Sequence, residues 1–351
     1  CEQAAVKDFV STRESLQILF AQPVQVDTEF TVVIEYAAQP NAGLYFRTPA
    51  MGYPETDTHI WTQGETHEAR HWFPCFDYPN ERSSTEVICH VPKDMTVLSN
   101  GVKKGESIDA SGLKAVRWYH EKPHANYLIC LVAGHLEGLE KRHRNVPLGF
   151  YTQPSLAKYA ANSFRDTPDI MAFFEEEIGV EFPWPKYDQV TILDFTAGGM
   201  ENTTLTTLTD GTIFAEATEN IRTTRGLDAH ELAHQWFGDY VTCKDWSHLW
   251  LNEGFATYYT HLYEGHKFGR DAMLYGLYRD ASGRILTQGK DKKPIVYNGY
   301  KNPMEQFDYR SYPKGSWVLH MLRSQLGEDL YRKCIKSYLE KHALTSVVSD
   351  D

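Results

Sequence analysis

The residues best suited to chemistry lie in the run HELAHQW, His230 to Trp236, and in NEGFA, Asn252 to Ala256, which starts eighteen residues on from His234. His230 and His234 are four apart, so on a helix they project from one face, one turn above the other, and two imidazoles can share one ion. A hydrolytic zinc site takes three protein ligands from His and carboxylate and leaves a fourth position to water or substrate. His230, His234 and Glu253 fill that quota. Glu231 lies about 100° round the helix from His230, near the open position without being a ligand, which is where a general base must stand. Zinc there brings the pKa of water toward neutrality, and Glu231 takes the proton as the water attacks a carbonyl. A bare HExxH also arises by accident in a chain with 15 His. The apolar Leu232, Ala233, Trp236 and Phe237 around the polar trio favour a site helix that crosses a core.

Two helices must position these groups. The first is expected over Arg222–Phe237, with Gly238 as its stop. The second, over Trp250–Tyr259, brings Glu253 alongside. Up to about residue 140 the chain reads as sheet, with β-branched or aromatic runs at Leu16–Phe20, Phe30–Tyr36, Thr85–Val91 and Arg117–Tyr119. From about residue 150 the character turns helical. Thr167-Pro168 supplies a cap and an N1 proline, with Gly179 to close that helix after Ile178. Gln189–Asp194 reads as a strand, and Gly315–Ala343 as two helices broken at Gly327.

The 351 residues, 42% of them hydrophobic, suffice for a large core and two domains. A net charge of −12 argues against nucleic acid or an anionic membrane as main partner, since both need a basic face. Lys141–Arg144 and Lys290–Lys293 read as solvated basic loops. The six cysteines show no CxxC pair and read as free buried thiols. No apolar run approaches eighteen residues, so no transmembrane segment is expected. A chain that begins at Cys1 without Met reads as a processed start or a fragment, and its compartment stays open.

Further blocks show that the chain resembles the gluzincin family of zinc aminopeptidases, which includes alanyl aminopeptidases and the leukotriene hydrolase. Gly198-Gly-Met-Glu-Asn202 is similar to the family's GxMEN signature. Thr62-Gln-Gly-Glu65 and Phe73-Pro-Cys-Phe-Asp77 resemble its TQxE and FPCxD blocks, and Tyr312-Pro-Lys-Gly315 its YxKG block. The resemblance implies an α+β multidomain fold: a β-rich, sandwich-like amino-terminal domain over residues 1–145, then a thermolysin-like mixed α/β catalytic domain over 146–351. It also implies that both are incomplete, the first lacking strands and the second followed in the family by a helical domain. The implied cofactor is one zinc ion per chain, and the implied partners are peptides with a free amino terminus.

The resemblance also implies roles for single residues. Glu201 and Glu65 hold the substrate's α-ammonium, a cation that needs fixed anions when desolvated, and Gln63 helps. Gly198, Gly199 and Met200 form the edge along which the peptide adds as a strand. Tyr312 donates its O–H to the oxyanion of the tetrahedral intermediate. Met200 and Gly64 are expected beside the zinc, in a pocket for neutral first residues. Two positions depart from the family. Thr260 stands where members commonly place an acid that supports a zinc histidine, leaving Asp239 or Asp245 as replacements. Met304 stands where the leukotriene hydrolase carries the Asp of its epoxide reaction, which argues against that activity here. The rival readings are a catalytically silent peptide-binding scaffold, an endopeptidase without use for Glu201 and Glu65, and a structural domain with a fortuitous motif.

Overall fold

The computed structural model describes residues 5–12, 15–288, 290 and 292–351. Three antiparallel sheets make up the first part. Val6–Ser11 pairs with Leu16–Phe20; Leu44–Arg47, His59–Thr62, Leu131–Gly134 and Thr96–Ser99 form a four-stranded sheet; Arg82–Val91, Lys114–Ala125 and Val102–Ile108 form a three-stranded one. Along Lys114–Ala125 the pleat alternates, and Val116, Trp118 and His120 turn inward. There Val116 and Trp118 meet Trp61, Leu98 and Val132 of the four-stranded sheet in one apolar cluster.

Phe30–Tyr36 is not a strand. Every residue in it is exposed, and it pairs with no other strand among the described residues. Its β-branched composition suits a pleated surface, but a strand exists only through the neighbour that takes its backbone hydrogen bonds.

The second part is built on a mixed five-stranded sheet, ordered Glu137–His143, Val146–Thr152, Tyr187–Ile192, Leu205–Thr209 and Gly199–Met200. The first pair is an antiparallel hairpin spanning residue 145, the middle pairings are parallel and the short edge strand is antiparallel. Tyr187–Ile192 is buried throughout, as expected of a parallel strand covered on both faces. Tyr187 joins the helical core on one side. Val190 and Ile192 join the cluster of the amino-terminal sheets on the other. The basic run Lys141–Arg144 lies in and beside this hairpin rather than in a solvated loop: His143 Nε2 and Arg144 Nη1 reach Glu175 Oε2 at 2.8 and 3.1 Å.

The site helix runs Arg225–His234, shorter at both ends than the apolar pattern predicts. At its start, Arg222 Nη2 and Thr224 Oγ1 donate to the carbonyls of Ile213 and Thr212, which hold the lead-in out of helical geometry. At its end, the Asp239 amide donates to His234 O, and Gly238 at φ 135 allows the chain to turn back. The second helix is longer than expected, Trp250–Phe268, because Leu262 and Tyr263 extend its buried stripe until Gly269. Gly315–Leu326 and Glu328–His342 follow, broken at Gly327.

The Thr167–Ile178 helix has its proline in the first turn and Gly179 at φ 75 as its stop, but Asp166 stands at the cap. The Thr167 hydroxyl is taken by a tertiary contact, donating to Asp228 Oδ2 at 2.6 Å, while Gln189 Nε2 donates to Asp228 Oδ1 at 2.9 Å. Asp228 thereby ties the site helix to the neighbouring helix and to the central strand. Cys130 and Cys243 are buried free thiols, Cys75 and Cys89 are partly exposed and Cys334 is exposed; Cys1 lies outside the described residues. No helix among the described residues is long and apolar enough to cross a membrane.

Burial of Asp228 raises its pKa to about 7, against the two donated hydrogen bonds that favour the ionised form. A carboxyl raised on folding contributes stability below its unfolded pKa of about 4, and that contribution is lost as pH rises through its folded value. In Asp228→Asn the pH dependence disappears. The difference in unfolding free energy between wild type and variant, from denaturant titrations, should shift by roughly 4 kcal/mol between about pH 4 and pH 7; a constant difference removes Asp228 from this account.

Candidate metal and peptide site

His230, His234 and Glu253 converge on one point. His230 Nε2 and His234 Nε2 are 3.1 Å apart, and they lie 3.1 and 3.3 Å from Glu253 Oε2. Tetrahedral coordination with bonds of about 2.0–2.1 Å requires ligand atoms about 3.3 Å apart, so this donor set fits a first-row divalent ion. His234 Nδ1 lies 2.9 Å from Phe237 O. Donation there fixes the tautomer and leaves the Nε2 lone pair for a metal. A main-chain carbonyl therefore supports His234. Thr260 donates its hydroxyl to Ala256 O at 2.9 Å. Asp245 caps a short turn by accepting from the Ser247 amide, and the Asp239 carboxylate is buried.

Around this trio lie three more carboxylates. Glu231, Glu201 and Glu253 are 4, 3 and 3% exposed. Oxygens of Glu65, Glu201 and Glu253 lie within 4.8 Å of one another, as do those of Glu201 and Glu231 and a His234 nitrogen. Among the described residues no lysine or arginine pairs with any of the four. Burial first, then Glu201 and Glu253, pushes Glu65 well above the usual carboxylate range, and Glu201 is raised by burial. Burial likewise raises Glu231, with Glu201, Glu253 and Asp228 adding to it against the pull of His234. Burial works against Glu253 ionising, but His234 and His230 hold its pKa down to about 2. Glu65 Oε1 and Glu201 Oε1 are buried with no hydrogen-bond partner among the described residues. His234 Nδ1 lies 4.0 Å from Glu201 Oε1.

Glycine sets several of these positions. A Cβ on Gly199 would fall 2.2 Å from Glu231 Oε1, so the carboxylate of Glu231 rests directly on the edge strand Gly199–Met200. Gln235 clamps the chain that follows. Its Nε2 donates to Glu201 O and its Oε1 accepts from the Thr204 amide, both at 2.9 Å. From the amino-terminal sheets, Asn100 Nδ2 donates to Thr203 O at 2.7 Å. Gly254, next to Glu253, meets Gly315 backbone to backbone, a Cβ on either falling 2.8 Å from the other's Cα. That crossing sets the π-helical turn Arg310–Lys314, where Tyr312 lies nearly parallel to His230, 15° between planes and 6.0 Å between centroids. Burial, then Glu253, holds the Tyr312 phenol well above its ordinary pKa, so it is an O–H donor.

A cleft of about 900 Å³ opens from His230, Glu231 and Tyr312. Gly198 and Gly199 line it, whereas Met200 and Gly64 do not. Met200 is 2% exposed, with Gln63 Nε2 3.1 Å from its sulfur. A Cβ on Gly64 would strike Tyr127 O at 2.1 Å. The expected first-residue pocket of Met200 and Gly64 is therefore not part of this cleft. Sequence reasoning missed Gln235, Asp228 and the Gly254–Gly315 contact. Their signal was present as a glutamine inside HELAHQW and a glycine in each of two motif blocks.

Comparison with known proteins agrees with this architecture. The Peptidase family M1 domain matches residues 162–351, and the Peptidase M1 N-terminal domain matches residues 2–128. The chain is 33% identical to Aminopeptidase M1 of Arabidopsis thaliana over 83% of its own length and 34% of the relative's. It is 31% identical to Glutamyl aminopeptidase of Rattus norvegicus, with 93 and 36% covered, and 32% identical to Aminopeptidase 2 of Candida albicans, with 98 and 38% covered. The chain thus spans about a third of the length of the curated relatives it matches.

The Gly254–Gly315 contact sets the next expectation. Gly254→Ala forces two backbones apart and should cost about 1–3 kcal/mol of unfolding free energy, read from urea midpoints; full stability in the variant would show that the crossing does not need the close approach.

Proposed function

The chain belongs to the M1 peptidase family, the gluzincin zinc aminopeptidases, and from that premise we propose that it removes single residues from the amino termini of peptides. The observation that carries the proposal is the pairing of a metal donor triangle with two buried, unpartnered carboxylate oxygens beside it. His230, His234 and Glu253 would hold the zinc. When bound, zinc supplies a Lewis acid for the scissile carbonyl and acidifies water.

The remaining chemistry belongs to this chain's own residues. Glu201 and Glu65 bind the α-ammonium, which fixes the first peptide bond beside Glu231 and offsets the desolvation of both carboxylates. Gln63 supports Met200, and the edge strand Gly199–Met200 offers backbone groups for the peptide to add alongside. Glu231 takes a proton from water as the oxygen attacks the carbonyl carbon. Tyr312 donates its O–H to the oxygen that becomes negative. Glu231 then gives its proton to the leaving nitrogen as the C–N bond breaks, so water has added across that bond. An endopeptidase has no use for anions that stop the chain one residue from the metal. A silent scaffold has no use for the intact set of Glu231, Tyr312 and three ligands.

Aminoacyl-anilides, free and N-acetylated, test this with metal content measured alongside. Turnover should require the free amine. Glu231→Gln should lose about 10²- to 10⁴-fold in kcat, and Tyr312→Phe about 10²- to 10³-fold, both with one zinc per chain retained. Equal cleavage of acetylated substrates would overturn the exopeptidase reading, and undiminished turnover in either variant would remove that residue from the mechanism.

A further inference from the structure

We infer that the cleft beyond the metal site recognises a carboxylate on the leaving-group side of the substrate, through Arg279 and Arg284. This rests on the aminopeptidase reading and extends it to the part of the substrate past the scissile bond.

The cleft adjoins His230, Glu231 and Tyr312 but is not lined by Glu65 or Glu201, the groups assigned to the ammonium. It therefore carries the substrate in the other direction. Its far wall is made of Gly276, Arg279 and Asp280 from the helix Arg270–Asp280, and of Ser282, Gly283 and Arg284 from the π-helical turn Ala281–Ile285. His261 locates this wall. It follows Glu253 by eight residues on one helix, about 12 Å along the axis, and its Nε2 lies 2.7 Å from Asp280 Oδ2. An extended peptide advances roughly 3.4 Å per residue, so the wall faces positions about three to four residues downstream of the metal.

Charge at this wall is one-sided. Arg279 and Arg284 are exposed, and neither pairs with a carboxylate among the described residues. The only acidic group on the wall, Asp280, is engaged by His261. Two free guanidinium groups with fixed, forked donors suit a carboxylate better than any neutral group. In a chain of net charge −12 their pairing at one cleft end is a local reversal of sign. The carboxylate can be the carboxy terminus of a short peptide or an Asp or Glu side chain at the same distance.

The experiment compares kcat/KM for three tetrapeptides sharing the first three residues: a free acid, its carboxamide, and a carboxamide with Asp at the fourth position. Neutral aminoacyl-anilide turnover runs alongside. At low ionic strength, the free acid or the Asp peptide should exceed the plain amide by about tenfold, chiefly in KM, and the advantage should shrink with salt. In Arg279→Ala/Arg284→Ala the ratio should fall to about one. An advantage in the free acid alone identifies the terminal carboxylate, and one in the Asp peptide identifies the side chain. Anilide turnover with no carboxylate advantage in wild type, or with an advantage undiminished in the double variant, overturns the inference and leaves the aminopeptidase reading standing. Absence of anilide turnover overturns both.

Discussion

Four carboxylates share a small buried space with two imidazoles, and the rest of the structure follows from that crowding. Glu65, Glu201, Glu231 and Glu253 have no lysine or arginine among the described residues to offset them. Taking like charges out of water costs several kcal/mol per ion. Such an arrangement is stable only if protons or cations come to it. Glu253 solves this by facing both histidines, which hold it ionised. The other three are pushed toward the protonated state. A divalent ion at the ligand triangle and an ammonium beside it are the two cations that the proposed reaction brings, so substrate binding and charge compensation become the same event.

Holding that many carboxyl groups close together demands a rigid surround, and the chain supplies it through backbone contacts more than through long side chains. Glu231 lies on Gly199, and the turn carrying Tyr312 is set by Gly254 against Gly315. Gln235, one residue past a proposed ligand, fixes the backbone of Glu201. The amino-terminal sheets take part directly, since Asn100 holds Thr203 and Arg82 Nη2 donates to Asp239 O at 2.7 Å, beside the end of the site helix. The β-rich part is therefore a wall of the site, and it also delivers Glu65.

Much of this was legible in the sequence because the chemistry depends on short spacings. The i, i+4 histidines and the intervening glutamate follow from helix geometry, NEGFA marks a second helix that brings Glu253 alongside, and the distances agree with a tetrahedral set. The strand Tyr187–Ile192, the helix Thr167–Ile178 with Gly179 and the break at Gly327 were likewise readable from composition and stop signals. What escaped reading depends on partners distant in the chain. Phe30–Tyr36 has the residues of a strand but finds no neighbouring strand among the described residues. Thr167 has the chemistry of a cap but spends its hydroxyl on Asp228, 61 residues away. An acid was sought beside a zinc histidine; Thr260 instead bonds Ala256 O, and His234 is held by a main-chain carbonyl, which no residue type announces. The contacts of Met200 with Gln63 and of Gly64 with Tyr127 likewise depend on partners that spacing does not encode.

The central claim is that this acidic cluster binds a peptide's free amino group next to a bound metal. Calorimetric titration of zinc-loaded Glu231→Gln protein with a tripeptide, free and N-acetylated, measures that step apart from chemistry. The account predicts one free peptide bound per zinc, with affinity falling at least tenfold on acetylation or on Glu201→Ala, the loss of a buried charge-assisted contact. Equal affinity for the free and acetylated peptides would contradict it.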